Sequence, residues 1–366
     1  MFPKLKFTER QILDYYRSVT PRMVAASLDA SRCSFFDLLN LLSPAAAGCI
    51  DEMRERATLA RRRYYGKTVS VYAPLYISNS CVNCCKYCDF NSRRKVERKI
   101  LTLDEIRLEC QAIRQSGSDS VLIVAGEDPK RMNVDFLGQV GRMLREMFSY
   151  VALEVAPRDE AEYRQLFAAG YEGVTCFQET YDQDLYRDLH PAGPKSNYDY
   201  RLWTLLRAGR AGFRVLGMAF LLGLAPWRLE AASLGAHALY LMKECYRSRI
   251  QFAFPRITPV NGGFQPANPV SDADLEQMML AFRIAFPQSA MTVSTRESPA
   301  FRDAIVRSCA DNMSAGSRVT PGGYAVLADR EVAQFTLKDD RKAADVYAAI
   351  RQNGQEVVFK NWDSRI

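Results

Sequence analysis

A chain of 366 residues that is 48% hydrophobic can bury a large core, which marks it as globular and leaves room for two ordinary domains or one α/β barrel with additions. Its longest apolar stretch, residues 215–224, is far shorter than the ~20 residues of a membrane span. The N-terminal MFPKLKFTERQILDYY has neither an apolar core nor a cleavage signal, so a soluble, cytoplasmic protein with no membrane contact is expected. The net charge of +7, from 49 basic and 42 acidic residues, comes without a long basic run; residues 61–63 and 93–98 read as solvated faces, and no nucleic acid is expected as a partner.

Residues 1–66 read as helices at 9–17, 21–28, 35–42 and 46–65, the last ending in the arginine-rich turn that a helix C-terminus favours. From Thr68 the pattern changes to short apolar runs separated by amphipathic segments. Strands are expected at 69–73, 120–125, 151–155, 173–177, 214–221, 249–254, 290–294 and 312–315, with helices at 103–115, 135–147, 160–169, 198–211, 227–246, 271–286 and 299–309. Strands alternating with helices favour parallel pairing through right-handed crossovers. The span 69–315 fits the ~250 residues of an eight-stranded (β/α)8 TIM-type barrel. An open doubly wound sheet has the same periodicity and stays open at this point. The expected division is an N-terminal helical extension (1–66), a barrel (67–320) and a short C-terminal tail (321–366) packing on the barrel, with a helix at 341–352 and a last strand at 356–359.

Four of the ten cysteines crowd into residues 81–88, directly after the first strand-like run, while the other six are scattered through apolar patterns as buried thiols. Cys81, Cys85 and Cys88 form C-x3-C-x2-C, with Cys84 wedged between them. Electron-carrying iron-sulfur clusters use four cysteines, so three leave one iron open for chemistry. Reading the loop as two C-x2-C zinc knuckles would ask adjacent Cys84 and Cys85 to face one small ion, whereas zinc knuckles stand farther apart. Cys84 is therefore read as a bystander. Polar residues follow other strands: Gly126 and Glu127, Glu154, Gln178 and Glu179, Arg256, Thr295 to Glu297, and Gly316 to Arg318, all at the end of a barrel where catalytic groups collect.

The loop C-x3-C-x-Y-C, completed by Tyr87, resembles the signature of the radical S-adenosylmethionine (SAM) superfamily. LLSPAAA (41–47), the segment 69–90, LIVAGED (122–128), FQETYDQDLY (177–186), STRESPAFRD (294–303), TPGGYA (320–325), QFTLKDDR (334–341) and VFKNWDS (358–364) further resemble the tyrosine lyases of thiamine thiazole biosynthesis, the 2-iminoacetate synthases. The resemblance implies a four-iron four-sulfur cluster on Cys81, Cys85 and Cys88, whose open iron binds SAM. An electron then gives a 5'-deoxyadenosyl radical that takes hydrogen from the amino nitrogen of L-tyrosine, and Cα–Cβ cleavage yields 2-iminoacetate (dehydroglycine) and p-cresol. It also implies a thiazole synthase as protein partner for the short-lived imine, and a reducing donor such as flavodoxin or ferredoxin.

Carried over by position, Tyr87 lies near the adenine, Gly126 and Glu127 meet the methionine amino group, Glu154 takes the ribose hydroxyls, and Arg201 pairs with the methionine carboxylate. Arg296, with Ser294 and Thr295, anchors the substrate carboxylate, an arginine being suited to bidentate binding. Gln178 and Glu179 contact the substrate amino group or phenol. His190 reads as a turn residue, and neither it nor His237 has a partner motif. Three rivals stay in view: a tryptophan lyase, a non-catalytic iron-sulfur sensor, and the hydrogenase-maturation tyrosine lyase, whose extra C-terminal cysteines have no counterpart here after Cys309.

Overall fold

The computed structural model describes residues 7–258, 263–326 and 333–359. Four helices come first: α1 (Glu9–Ser18), α2 (Pro21–Asp29), α3 (Phe35–Leu42) and α4 (Ile50–Tyr65). Thr8 and Ser34 close capping boxes on α1 and α3, and Thr20 with Pro21 starts α2. The apolar Leu38, Leu39, Leu41 and Leu42 of α3 are fully buried, so these helices share the main core rather than forming one of their own.

Eight strands and their helices follow. They are β1 (Thr68–Ser78), α5 (Leu103–Gln115), β2 (Ser120–Ala125), α6 (Val134–Leu144), β3 (Tyr150–Glu154), α7 (Glu160–Ala168), β4 (Gly173–Glu179), α8 (Gln183–Leu189), α9 (Tyr198–Leu202), α10 (Thr204–Arg210), β5 (Val215–Phe220), α11 (Trp227–Glu244), β6 (Arg249–Ala253), α12 (Asp272–Ala285), β7 (Ala290–Val293), α13 (Pro299–Ile305) and β8 (Asn312–Ser314). Among the described residues every strand-to-strand pairing is parallel, and β1 bonds both β2 and β8, which closes the barrel and removes the open-sheet alternative. After α14 (Ala343–Gln352), β9 (Glu356–Val358) pairs with Thr68–Ser70, beside the first residues of β1 that β2 does not reach. The single helix expected at 198–211 is two, broken at Trp203, and α8 was missed. Residues 360–364 of the terminal motif lie outside the described residues.

The β8–β1 seam is only three residue pairs long, and three fully buried arginines rivet it. Arg61 of α4 donates to the carbonyls of Ala310, Gly66 and Thr68 and to Gln355. Arg283 of α12 reaches the carbonyls of Cys309, Pro287 and Ser289 and pairs with Asp311. Arg302 of α13 pairs with Asp339 and donates to the Ser314 carbonyl. The barrel interior, by contrast, is not filled by branched apolar residues as is usual. Its lower half is a cavity lined by small or polar groups including Ser70, Thr175, Gly217, Gln251 and Asn312, and it meets the upper half at Tyr72, Glu154 and Thr292.

Candidate active site

The cysteine loop hangs from the C-terminal end of β1, where a register shift between Tyr76 and Ser78 bends the strand; bulges of this kind re-aim side chains beside active sites. Two neighbours grip its backbone. From the β2 side, Val82 N–H donates to the Glu127 carbonyl (3.1 Å) and Gly126 N–H to the Ser78 carbonyl (2.9 Å). From the segment after α8, the carbonyls of Leu189 and Ala192 accept from Lys86 and Cys84 N–H, each at 3.1 Å. The loop packs so tightly that a Cβ on Gly126 would sit inside the Ser80 carbonyl, and one on Gly193 (φ +93°) against Asn83.

Cys81, Cys85 and Cys88 line one cavity together with Gly126, Glu127, Glu154, Glu179, Lys195 and Arg201. Cys84 is not part of it; its Sγ lies 3.1 Å from the Ser92 hydroxyl. Among the described residues no three His, Cys, Asp or Glu side chains stand close enough to share a single ion. Three thiols set more widely, with the fourth turned away, fit a cubane with an open iron and not a lone zinc. Burial pushes the Cys88 thiol up to about 11 and the Cys85 thiol up to about 12, so both keep their protons at neutral pH in the iron-free chain.

This cavity continues into a larger one at the barrel mouth, sharing Cys88, Val124, Glu154, Phe177, Glu179, Lys195 and Gln334. Charges alternate around the junction. Arg201 of α9 pairs with Glu127 at 2.8 Å and stands 3.7 Å from Glu179, while Lys195 donates to Glu179 at 2.7 Å. Burial opposes ionisation of Glu127 and Glu179, but Arg201 and Lys195 overcome it and hold both carboxyls below the ordinary range. Among the described residues Glu154 has no such close cation: burial, then the charge of Glu179, raises it to about 7.

Across the mouth, Ser294, Thr295 and Arg296 line the larger cavity. Arg296 donates to the Thr258 hydroxyl (3.3 Å), its guanidinium sits 3.5 Å over the Phe335 ring, and among the described residues it has no carboxylate partner. Arg256 and Glu297 pair with each other and so leave Arg296 its charge. The segment after β8 forms the outer wall: Gln334 accepts from the Tyr76 hydroxyl at 2.6 Å, and Lys338 and Asp339 N–H both donate to the Thr295 carbonyl.

Of the residues singled out from sequence, the structure brings Cys81, Cys85, Cys88, Tyr87, Gly126, Glu127, Glu154, Glu179, Arg201, Ser294, Thr295 and Arg296 to the two joined cavities. Gln178 is buried but lines neither. Lys195 was missed, having no signal beyond its place in HPAGPK. His190 does lie in the turn that ends α8, as read from the sequence, and it also has a partner that the sequence did not show. Its Nδ1 faces the Tyr186 carbonyl at 2.7 Å and must donate there, so Nε2 accepts from the Tyr87 hydroxyl at 2.6 Å. His237 likewise meets the Tyr181 hydroxyl at 2.9 Å.

Comparison with known proteins fits this geometry. Residues 75–232 match the radical SAM superfamily, and residues 253–356 match the biotin and thiamin synthesis associated domain. Over 342 residues the chain is 39% identical to the 2-iminoacetate synthase of Escherichia coli (strain K12), covering 93% of this chain and 90% of that one. The chain belongs to the 2-iminoacetate synthase family. The Salmonella typhimurium member is 38% identical over the same shares. In three dimensions the chain is similar to the FeFe-hydrogenase maturase HydG from Carboxydothermus hydrogenoformans, with a TM-score of 0.89 at 28% identity over 97% of this chain and 84% of that one. Family membership brings a SAM-binding four-iron four-sulfur cluster as cofactor. Among the described residues no helix is long and apolar enough to cross a membrane.

Proposed function

We propose that this chain is a radical SAM lyase that splits L-tyrosine into 2-iminoacetate and p-cresol, with its site residues in the roles set out here. The observation that carries the reading is Arg296: a deep guanidinium without a carboxylate partner among the described residues, in a cavity that opens directly onto the three-cysteine cavity. When bound, the reduced cluster supplies the electron that cleaves SAM to methionine and a 5'-deoxyadenosyl radical. Everything else falls to the chain. Cys81, Cys85 and Cys88 hold the iron. Glu127 and Arg201 present opposite charges side by side, the pattern that suits the amino and carboxylate groups of methionine, and Lys195 adds a second cation. Glu154 accepts from ribose hydroxyls, and Tyr87, fixed by His190, flanks the adenine.

Arg296 binds the tyrosine carboxylate with Ser294 and Thr295 beside it, which turns the amino group toward the junction of the two cavities. Such positioning is a large part of catalysis. Phe177, Leu221, Phe254 and Phe335 wall the space for an aromatic side chain. Glu179, expected from the sequence to contact the substrate, lines both cavities, and its pairing with Lys195 and Arg201 favours a role on the cofactor side instead. The division at residues 66 and 320, a thiazole synthase that accepts the imine, and a flavodoxin- or ferredoxin-type donor belong to the same reading. Anaerobic incubation of the reconstituted protein with SAM, a reductant and tyrosine tests it. An intact cluster that forms no 5'-deoxyadenosine and p-cresol refutes the reading, and turnover of tryptophan in place of tyrosine would transfer it to the rival lyase.

A further inference from the structure

The only residue other than glycine with a left-handed backbone among the described residues is Glu179 (φ +72°), at the end of β4. It follows a register shift: Phe177 pairs with Ala219, and the next residue of β5, Phe220, pairs with Glu179 rather than Gln178. A bulky residue stays in this conformation only where its surroundings over-determine it. One flank is set by β5, since Leu221 N–H donates to the Glu179 carbonyl at 2.8 Å. The other is set by Glu230, on the first turn of α11. Its Oε1 accepts from the Thr180 hydroxyl (2.9 Å) and Tyr181 N–H (3.2 Å), and its Oε2 accepts from the same N–H at 2.9 Å.

We propose that Glu230 is a positioning residue that holds Glu179 in the conformation aiming its carboxylate at Lys195 and Arg201. Glu230 is 4% exposed, and among the described residues its carboxylate pairs with no lysine or arginine. A charge taken out of water without a counter-ion is an expensive way to fasten a loop. Burial raises it to about 7, opposed by the N–H and O–H donors. A loop staple could be apolar; what this one does is grip both polar groups that immediately follow the strained residue. Glu179 then meets Lys195 at 2.7 Å inside the shared cavity. The inference rests on the proposed role of Glu179 on the cofactor side.

A double-mutant cycle on the cluster-loaded protein tests it, with Glu179→Ala, Glu230→Ala and the pair. Iron content and melting temperature are measured alongside the equilibrium Kd for SAM, read without turnover, and the rate of 5'-deoxyadenosine formation. Glu230→Ala is expected to weaken SAM binding and slow 5'-deoxyadenosine formation at least tenfold in the native background, and less than twofold when Glu179 is already alanine, because coupled residues are non-additive. Glu230→Gln, whose amide oxygen still accepts from Tyr181 N–H, should recover most of the loss. If Glu230→Ala does not take up iron, Thr180→Val, which removes the hydroxyl that donates to Glu230, runs the same cycle. Equal factors in both backgrounds, or native behaviour of Glu230→Ala beside an impaired Glu179→Ala, overturn the inference alone. A Glu179→Ala protein that matches the native one overturns it by removing the role on which it rests.

Discussion

Replacing Arg296 with glutamine removes the charge while keeping a polar side chain in the cavity mouth. In the native chain the guanidinium already has Thr258 and the Phe335 ring as neighbours, so its burial does not depend on the substrate. What the substitution takes away is the pairing with the incoming carboxylate. Truncating one partner of a buried charge pair is worth ~3–5 kcal/mol. The lower end applies here, because the tyrosine carboxylate keeps Ser294 and Thr295 and some solvent from the open mouth. About 3 kcal/mol corresponds to a KM for tyrosine raised roughly a hundredfold. The assay is p-cresol formation against tyrosine concentration, with 5'-deoxyadenosine measured separately. SAM binding and slow SAM cleavage without tyrosine should persist, since Arg296 is across the mouth from Glu127 and Arg201. A KM within threefold of the native value, or parallel loss of SAM binding, would refute the assignment.

Cys84→Ala should keep iron and activity, whereas Cys85→Ala should lose both; iron content after anaerobic reconstitution decides, and similar behaviour of the two would undo the ligand set. Gly126→Ala pushes a methyl group into the Ser80 backbone, and a loss of ~1–3 kcal/mol in stability together with reduced iron uptake is expected by denaturant titration and iron assay. Glu154 is raised from 4.5 to about 7, so the folded chain binds its proton more tightly than the unfolded one, and the stability this contributes at low pH is lost as pH rises through 7. Glu154→Gln in the iron-free chain should therefore be more stable than native by up to roughly 3 kcal/mol at pH 8 and by little below pH 4.5; a difference independent of pH counts against the desolvation of this half-buried carboxyl.

Most of the eight strands were legible as short apolar runs bounded by polar turns, although β1 runs five residues past the expected end, to Ser78, and the cysteine spacing singled out the loop that hangs from it. What stayed hidden depends on side chains meeting from distant parts of the chain. Lys195 looks like one surface lysine among many until α8 and the turn after it fold it under the cysteine loop. Glu230 sits in an ordinary helical first turn, and only the path of β4 brings Thr180 and Tyr181 to it. His190 was dismissed beside a proline, yet its partner Tyr87 is 103 residues away along the chain. Gln178 shows the opposite error: it adjoins Glu179, but the strand's alternation points the two to different surroundings.

The arginine rivets along the β8–β1 seam lie at the far end of the molecule's logic from the cysteine loop. They grip backbone carbonyls and carboxylates, and a guanidinium neither titrates at working pH nor reacts with oxygen. The labile part of the protein and the part that keeps its shape are therefore made of different chemistry. A chain stripped of iron by air should remain a closed barrel, with its grip on the seam intact, and stand ready to be loaded again.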